Sequence, residues 1–358
     1  MENEKMWAFM IQLGNNMWDK KGRVYDCIKD EEEAIYRDFL YTDKAIWDEI
    51  TTFLPQCGFN TLLIDMGEAV RLDSHPELAV EGSWTKEEMR VELARLRSLG
   101  LNPIPKYNFS CGHSAWLQDY AYMVGTKKYY QVCKDIIEEI IALFDTPDYF
   151  HLGLEEEDYP NQRNQPVAVI RPAYKKIEDA QFLFDICRSH GVRPWIWCNY
   201  KCVESYGGEE AFQKAIQKDV LISNWYYGNV PSDPVAYSEN KSLYLYKKLG
   251  EWGYDQVPTS STYGFHLSSK MTMKYFKNEV NMDTTTGFMT APWFATMPKY
   301  KYALLNDAFV FGKAKEAISH KNSKQSGCPP KDSRSNILYG PNLGLIIIRV
   351  AFDCSNLE

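Results

Sequence analysis

Short apolar segments alternate with amphipathic helices along most of this chain, and that alternation restricts the fold more than any other feature. The apolar segments are "WAFMIQL" at 7–13, "TLLIDM" at 61–66, "NPIPKYNF" at 102–109, "YFHLGLE" at 149–155, "RPWIWCN" at 193–199, "VLISNWY" at 220–226, "QVPTSST" at 256–262 and "GFMTAPW" at 287–293. Between the second and third, "SWTKEEMRVELARLRSLG" places Thr85 and Glu88 as a capping box, Met89, Leu93 and Leu96 on one face, and Gly100 as a stop. "YYQVCKDIIEEIIALF" lines up Val132, Ile136, Ile140 and Phe144, with Asp135, Glu138 and Glu139 largely opposite. "AYKKIEDAQFLFDICRSHG" repeats the pattern and ends at Gly191. Strands joined by helical crossovers must run parallel, so the repeated unit predicts an α/β fold.

Eight such units favour a closed (β/α)8 TIM barrel over an open doubly wound sheet, and no GxGxxG follows the first strand to suggest a dinucleotide fold. A single barrel accounts for residues 1–320 of the 358. The remainder, 321–358, is polar and rich in turn formers before "ILYGPNLGLIIIRVAF", a lone strand with no place in the barrel, and is read as a C-terminal tail.

Composition narrows the partners. A net charge of −8 argues against a nucleic-acid backbone or an anionic membrane surface. No apolar run is long enough to span a bilayer. The start, "MENEKMWAFMIQLG", has no basic region leading into a continuous apolar stretch, so no signal peptide is expected. That reads as a cytoplasmic chain, or an exported one whose leader has been removed. Nine cysteines without paired CxxC spacing predict neither a disulfide framework nor a zinc site, and no cofactor is implied. Cys198 and Cys202 in "CNYKC" read as free thiols.

In a parallel barrel the chemistry lies at the C-terminal ends of the strands. Strand two ends with Asp65, Gly67 and Glu68; strand three runs into Lys106, Asn108 and His113; strand four supplies His151, Glu155 and Glu156. Trp195 and Trp197, Trp225 with Tyr226 and Tyr227, and Trp293 fall near the ends of strands five, six and eight. Carboxylates ringed by tryptophan and tyrosine suit a sugar, since flat rings pack on its C–H faces while carboxylates transfer protons. An acidic run after a strand is more often a solvated loop. Position at a barrel mouth reverses that reading for Glu155 and Glu156, whereas Glu157 and Asp158 read as loop. His151, inside its strand, reads as a packed histidine supporting its neighbours.

The run His151-Leu-Gly153-Leu-Glu155-Glu156 resembles the H-x-G-x-D-E motif of glycoside hydrolase family 20, the β-N-acetylhexosaminidases. Residues 59–114 resemble the strand-two to strand-three region of that family, with "CGHS" in place of its P-G-H-S. The resemblance implies substrate-assisted retaining hydrolysis of an N-acetylhexosamine-containing glycan. Glu156 would be general acid and base, and the substrate's 2-acetamido carbonyl the nucleophile. Glu155 would orient the acetamido N–H. Trp197, Trp225 and Trp293 would box the acetyl methyl, and Tyr227 or Tyr226 would bond the acetamido oxygen. His113, His151, Asp65, Glu68 and Asn108 complete the expected substrate-binding set.

The chain departs from the family at several points. Position 155 is Glu rather than Asp. The strand-one arginine that grips sugar hydroxyls is replaced by Asn15 and Asn16, and Lys106 and Asn108 stand where the family carries acids. Two further readings follow from the residues: a two-carboxylate glycosidase with Asp65 or Glu68 opposite Glu156, and a non-catalytic carbohydrate-binding barrel.

Overall fold

A computed structural model describes residues 4–18, 36–162, 167–229 and 240–319. The 321–358 tail lies outside them. Eight parallel strands follow one another around a single sheet: β1 Met6–Gln12, β2 Thr61–Asp65, β3 Asn102–Lys106, β4 Tyr149–His151, β5 Arg193–Trp197, β6 Leu221–Ser223, β7 Thr259–Ser260 and β8 Gly287–Thr290. β8 pairs with β1, and the order runs β6-β5-β4-β3-β2-β1-β8-β7. Among the described residues β6 and β7 share no continuous ladder. They are joined by isolated bridges, Ile222 to Gln256 and Trp225 to Thr259. This closes the (β/α)8 barrel expected from the alternation.

The helices are α1 Lys44–Phe53, α2 Lys86–Ser98, α3 Lys127–Leu143, α4 Tyr159–Gln162, α5 Ala173–Ser189, α6 Tyr200–Ser205, α7 Glu209–Ala215, α8 Lys241–Glu251, α9 Ser268–Glu279 and α10 Lys301–Ser319. The capping box of α2 forms as its sequence predicts: the Glu88 N–H donates to Thr85 Oγ1 at 3.1 Å, and the Thr85 N–H donates to Glu88 Oε2 at 2.7 Å. The apolar stripe of α3, including Val132, Ile136 and Ile140, is fully buried between helix and sheet. Each such aliphatic side chain contributes about 1.5–3 kcal/mol.

Two cores result. The outer one lies between strands and helices. The inner one fills the barrel with Met6, Ala8, Met10, Leu63, Ile104, Trp195, Leu221, Val257, Met289 and Ala291. Above it the inward positions turn polar. Gln12, Asp65, Lys106 and His151 pair in register from β1 to β4 and form one transverse row.

β3 contains two prolines, which a central strand ordinarily excludes. Asn102 and Lys106 bond toward β2, through Asn102 N to Asn60 O and Met66 N to Lys106 O, while Tyr107 N bonds across to His151 O. By alternation Pro103 and Pro105 face β4, so the missing N–H groups fall on that side. The β3–β4 ladder is correspondingly short, with the single register pair Lys106 and His151. Beyond that pair the backbone stays bonded through Phe109 N to Leu152 O and Trp197 N to Gly153 O, and the chain then turns across the barrel mouth.

Candidate active site

The turn after β4 is built from unusual backbone. Gly153, Leu154 and Glu156 have φ of +74°, +72° and +50°. The left-handed region costs a non-glycine residue about 1–3 kcal/mol, so it persists only where the surroundings over-determine it. They do so here. A Cβ on Gly153 would stand 2.1 Å from Asn108 Oδ1, and one on Gly112 would stand 2.7 Å from the Glu156 carbonyl oxygen. Ser110 Oγ donates to the Glu155 carbonyl, and Gln162 Nε2 donates to the Glu157 carbonyl at 2.9 Å. Ser110 and Gly112 therefore form a backbone seat for the two glutamates.

These residues open onto a cavity of about 410 Å³ lined by Gln12, Asn15, Met17, Trp18, His113, Glu155, Glu156, Trp197, Trp225, Tyr227, Tyr263, Gly264, Trp293 and Ala295. His113 sits between the two carboxylates, with Nδ1 3.5 Å from Glu155 Oε1 and Nε2 3.5 Å from Glu156 Oε2. Trp18 meets its ring edge-on at 5.8 Å. Asn108 Nδ2 donates to Glu155 Oε1 at 2.7 Å, while Glu155 Oε2 is buried without a hydrogen-bond partner among the described residues.

The two carboxyls are driven apart. Burial pushes Glu155 up, but the close contact and positive charge of His113, with Lys106 behind, outweigh it and hold Glu155 below the ordinary glutamate value. Glu156 is raised, by burial first and then by the charges of Glu155 and Asp158, against the pull of His113. His113 itself is raised: burial opposes its charge, yet contact with both glutamates prevails. Neighbouring carboxyls whose pKa values are pushed in opposite directions are the arrangement that acid–base chemistry requires.

The opposite wall is aromatic. The Trp197 ring lies 5.9 Å from those of Trp225 and Trp293, at interplanar angles of 85° and 44°. Trp293 has φ +58°, and its Nε1 donates to the Tyr227 hydroxyl at 2.8 Å. Burial holds the Tyr227 phenol well above its ordinary pKa, so it stays protonated. Its oxygen already accepts from Trp293, which leaves the phenolic proton to be donated into the cavity.

Five residues expected at the substrate lie behind the wall instead. Asp65 pairs with Lys106 Nζ at 2.5 Å, both buried in the polar row. Glu68 accepts the backbone N–H groups of Asn15 and Asn16 at 2.9 and 3.1 Å and so holds the β1 loop. Asn108 supports Glu155 from below. His151 packs between Trp195 and Trp197, with ring centroids at 5.1 and 4.7 Å, and its Nδ1 accepts the Gly153 N–H at 3.1 Å. Burial, with Lys106 nearby, drives its pKa well below the ordinary histidine value, so the ring is neutral. The Tyr226 hydroxyl is spent on the Asn229 carbonyl at 3.0 Å, which leaves Tyr227 as the tyrosine on the cavity. With Asp65 and Glu68 engaged elsewhere, neither is available as a second carboxylate opposite Glu156.

Glu157 is not the solvated loop residue its neighbours suggested. Its side chain is 3% exposed and pairs with Arg171 and Lys176. Asp158 does remain in loop chemistry, accepting the Asn161 N–H at 3.1 Å. Sequence reasoning missed Gln12, Met17, Trp18, Tyr263, Gly264 and Ala295. Gln12 was detectable as the polar residue continuing the inward parity of Met6, Ala8 and Met10. Tyr263 had no such signal. It is placed by Asp307, which accepts from the Thr262 N–H and Oγ1 at 2.8 and 2.7 Å. Among the described residues no group of His, Cys, Asp and Glu could hold a metal ion, and no helix is long and apolar enough to cross a membrane.

No family model matches the chain. A Beta-hexosaminidase of Emericella nidulans is 23% identical over 228 residues, covering 54% of this chain and 36% of that protein. The chain thus spans about a third of that relative. Among solved structures, the GH20 β-N-acetylhexosaminidase of Streptomyces coelicolor A3(2) superposes with a TM-score of 0.53 at 13% identity, over 85% of this chain and 63% of that one. The β-N-acetylhexosaminidase of Bacteroides fragilis gives 0.55 at 11%, over 91% and 72%. A GH20 catalytic module of the pneumococcal exo-β-D-N-acetylglucosaminidase StrH gives 0.55 at 13%, over 90% and 89%. At these identities the likeness establishes a shared barrel fold.

Proposed function

We propose that this protein is a divergent glycoside hydrolase of family 20, releasing terminal β-linked N-acetylhexosamine by substrate-assisted retaining catalysis. The observation that carries the reading is the pairing, at one cavity, of a depressed Glu155 and a raised Glu156 across His113, facing an aromatic wall of Trp197, Trp225 and Trp293. The fold shared with solved β-N-acetylhexosaminidases supports it.

Glu156, protonated, gives its proton to the glycosidic oxygen as the C1–O bond breaks. The 2-acetamido carbonyl oxygen attacks C1 and forms a cyclic oxazolinium ion. Glu155, ionised, turns its carboxylate to accept the acetamido N–H and offsets the positive charge. The Tyr227 hydroxyl donates to the acetamido oxygen and holds it for attack. The tryptophan faces enclose the acetyl methyl. Glu156, now a carboxylate, takes a proton from the water that attacks C1, which reopens the ring and restores the acid. With the nucleophile supplied by the substrate, no second protein carboxylate at about 5 Å is required.

The test is hydrolysis of an aryl β-N-acetylglucosaminide or galactosaminide. Activity lost in Glu156→Gln and blocked by an N-acetylthiazoline supports the mechanism. A wild-type protein inert on every N-acetylated sugar overturns it.

A further inference from the structure

The residue after the general acid, Glu157, anchors a compact group of buried charges that the proposed mechanism does not use. Arg171 Nη2 reaches Glu157 Oε2 at 2.7 Å, and Lys176 Nζ reaches the same oxygen at 3.0 Å. The other carboxylate oxygen accepts the Cys111 N–H at 3.2 Å. Arg171 Nη1 continues to Asp179 at 2.5 Å, and Lys176 Nζ donates to Ser205 Oγ at 2.6 Å. Glu157, Asp179 and Lys176 have side chains 3%, 5% and 7% exposed, and Arg171 11%. One side chain thus ties the strained β4 turn to three places: Cys111 of the "CGHS" segment, Arg171 in the loop before α5, and Lys176 of α5 itself.

We infer that Glu157 is a positioning residue for Glu156, fixing its backbone in the left-handed conformation and cancelling two buried cations that would otherwise act on its carboxyl. The inference rests on the reading of Glu156 as general acid. The groups facing Glu156 are Glu155, His113, Asp158 and Lys201, with Tyr227 across the cavity. Around Glu157 stand Arg171, Lys176 and Cys111, with Tyr206 alongside. Removing the Glu157 charge leaves Lys176 without its paired carboxylate and Arg171 with Asp179, which Lys175 Nζ also reaches at 3.3 Å. The excess positive charge then favours ionised Glu156, and the acid is lost at a lower pH.

The test is a titration of the Glu156 carboxyl by carbon-13 NMR, its signal assigned by its absence in Glu156→Gln, in wild type and Glu157→Gln. The Glu156 pKa is expected to fall by about one unit in Glu157→Gln. It should return close to wild type in Glu157→Gln/Lys176→Met, where the charge balance is restored. With an aryl glycoside, the basic limb of the kcat profile moves with it, and kcat falls about 10-fold or more while KM changes little. Should Glu157→Gln fail to fold, Lys176→Met alone carries the opposite charge change and must raise the Glu156 pKa. An unmoved Glu156 titration overturns the inference and reduces the cluster to a stability element. Because the titration needs no turnover, an inert wild type sinks the hydrolase reading separately.

Discussion

Asn108 Nδ2 holds Glu155 Oε1 at 2.7 Å from below, while the other oxygen of the longer side chain is buried without a hydrogen-bond partner among the described residues. The longer side chain at position 155 thus reaches a hydrogen bond from Asn108. In Glu155→Asp the carboxylate either keeps Asn108 and withdraws from the cavity or reaches the cavity and leaves Asn108 unpaired. The expected loss is about 10- to 100-fold in kcat/KM. Asn108→Ala should lose less, and the double variant should lose less than the sum, since the two substitutions break one contact. Strict additivity in the kinetic cycle argues against the coupling.

Tyr227→Phe removes the phenolic proton that Trp293 leaves free, while keeping the ring. Loss of one such donor costs on the order of 100-fold in kcat. Trp293→Phe keeps the Tyr227 hydroxyl but releases its orientation, so a smaller loss is expected. Steady-state kinetics on an N-acetylated aryl glycoside distinguishes the two, and equal losses would point to packing alone.

Gly153→Ala places a Cβ at 2.1 Å from Asn108 Oδ1, at a residue with φ +74°. Asn108 must move, and with it the support of Glu155. A lower melting temperature and nearly complete loss of activity are expected together. Gly191→Ala, also at positive φ but with nothing within 4 Å of the added carbon, serves as the control that pays only backbone strain.

Glu68 is raised to about 7, because burial outweighs its hydrogen bonds from Asn15 and Asn16. Between the ordinary glutamate value and about 7, the folded protein holds a proton that the unfolded chain has released. Its contribution to stability is therefore present at acidic pH and declines as pH rises toward 7. Denaturant unfolding between pH 4.5 and 8 should show that decline, and Glu68→Gln should flatten it over the same window. A decline of the same slope in the variant would assign it to other groups.

The barrel was legible because its signal is periodic and repeated: eight apolar strands and amphipathic helices whose stripes and caps leave few alternatives. The motif from His151 to Glu156 was legible because strand ends converge at one mouth. What stayed hidden depended on partners distant in sequence. Asp65 and Glu68 look like Glu155 in one dimension, yet Lys106 and the amides of Asn15 and Asn16 turn them away from the cavity. Glu157 looked solvated because Arg171 and Lys176, which bury it, stand 14 and 19 positions further on. Tyr263 reaches the cavity through a loop set by Asp307.

The seam between β6 and β7 gives the site a second significance. Where those strands lack a continuous ladder, Trp225 and Tyr227 follow one side of the join, and Trp293, after β8, bonds across to Tyr227. The aromatic wall is therefore also the clasp of the ring. A sugar packed against those faces would rest on both sides of that join, so occupancy would be felt by the strands that close the circle as well as by the site.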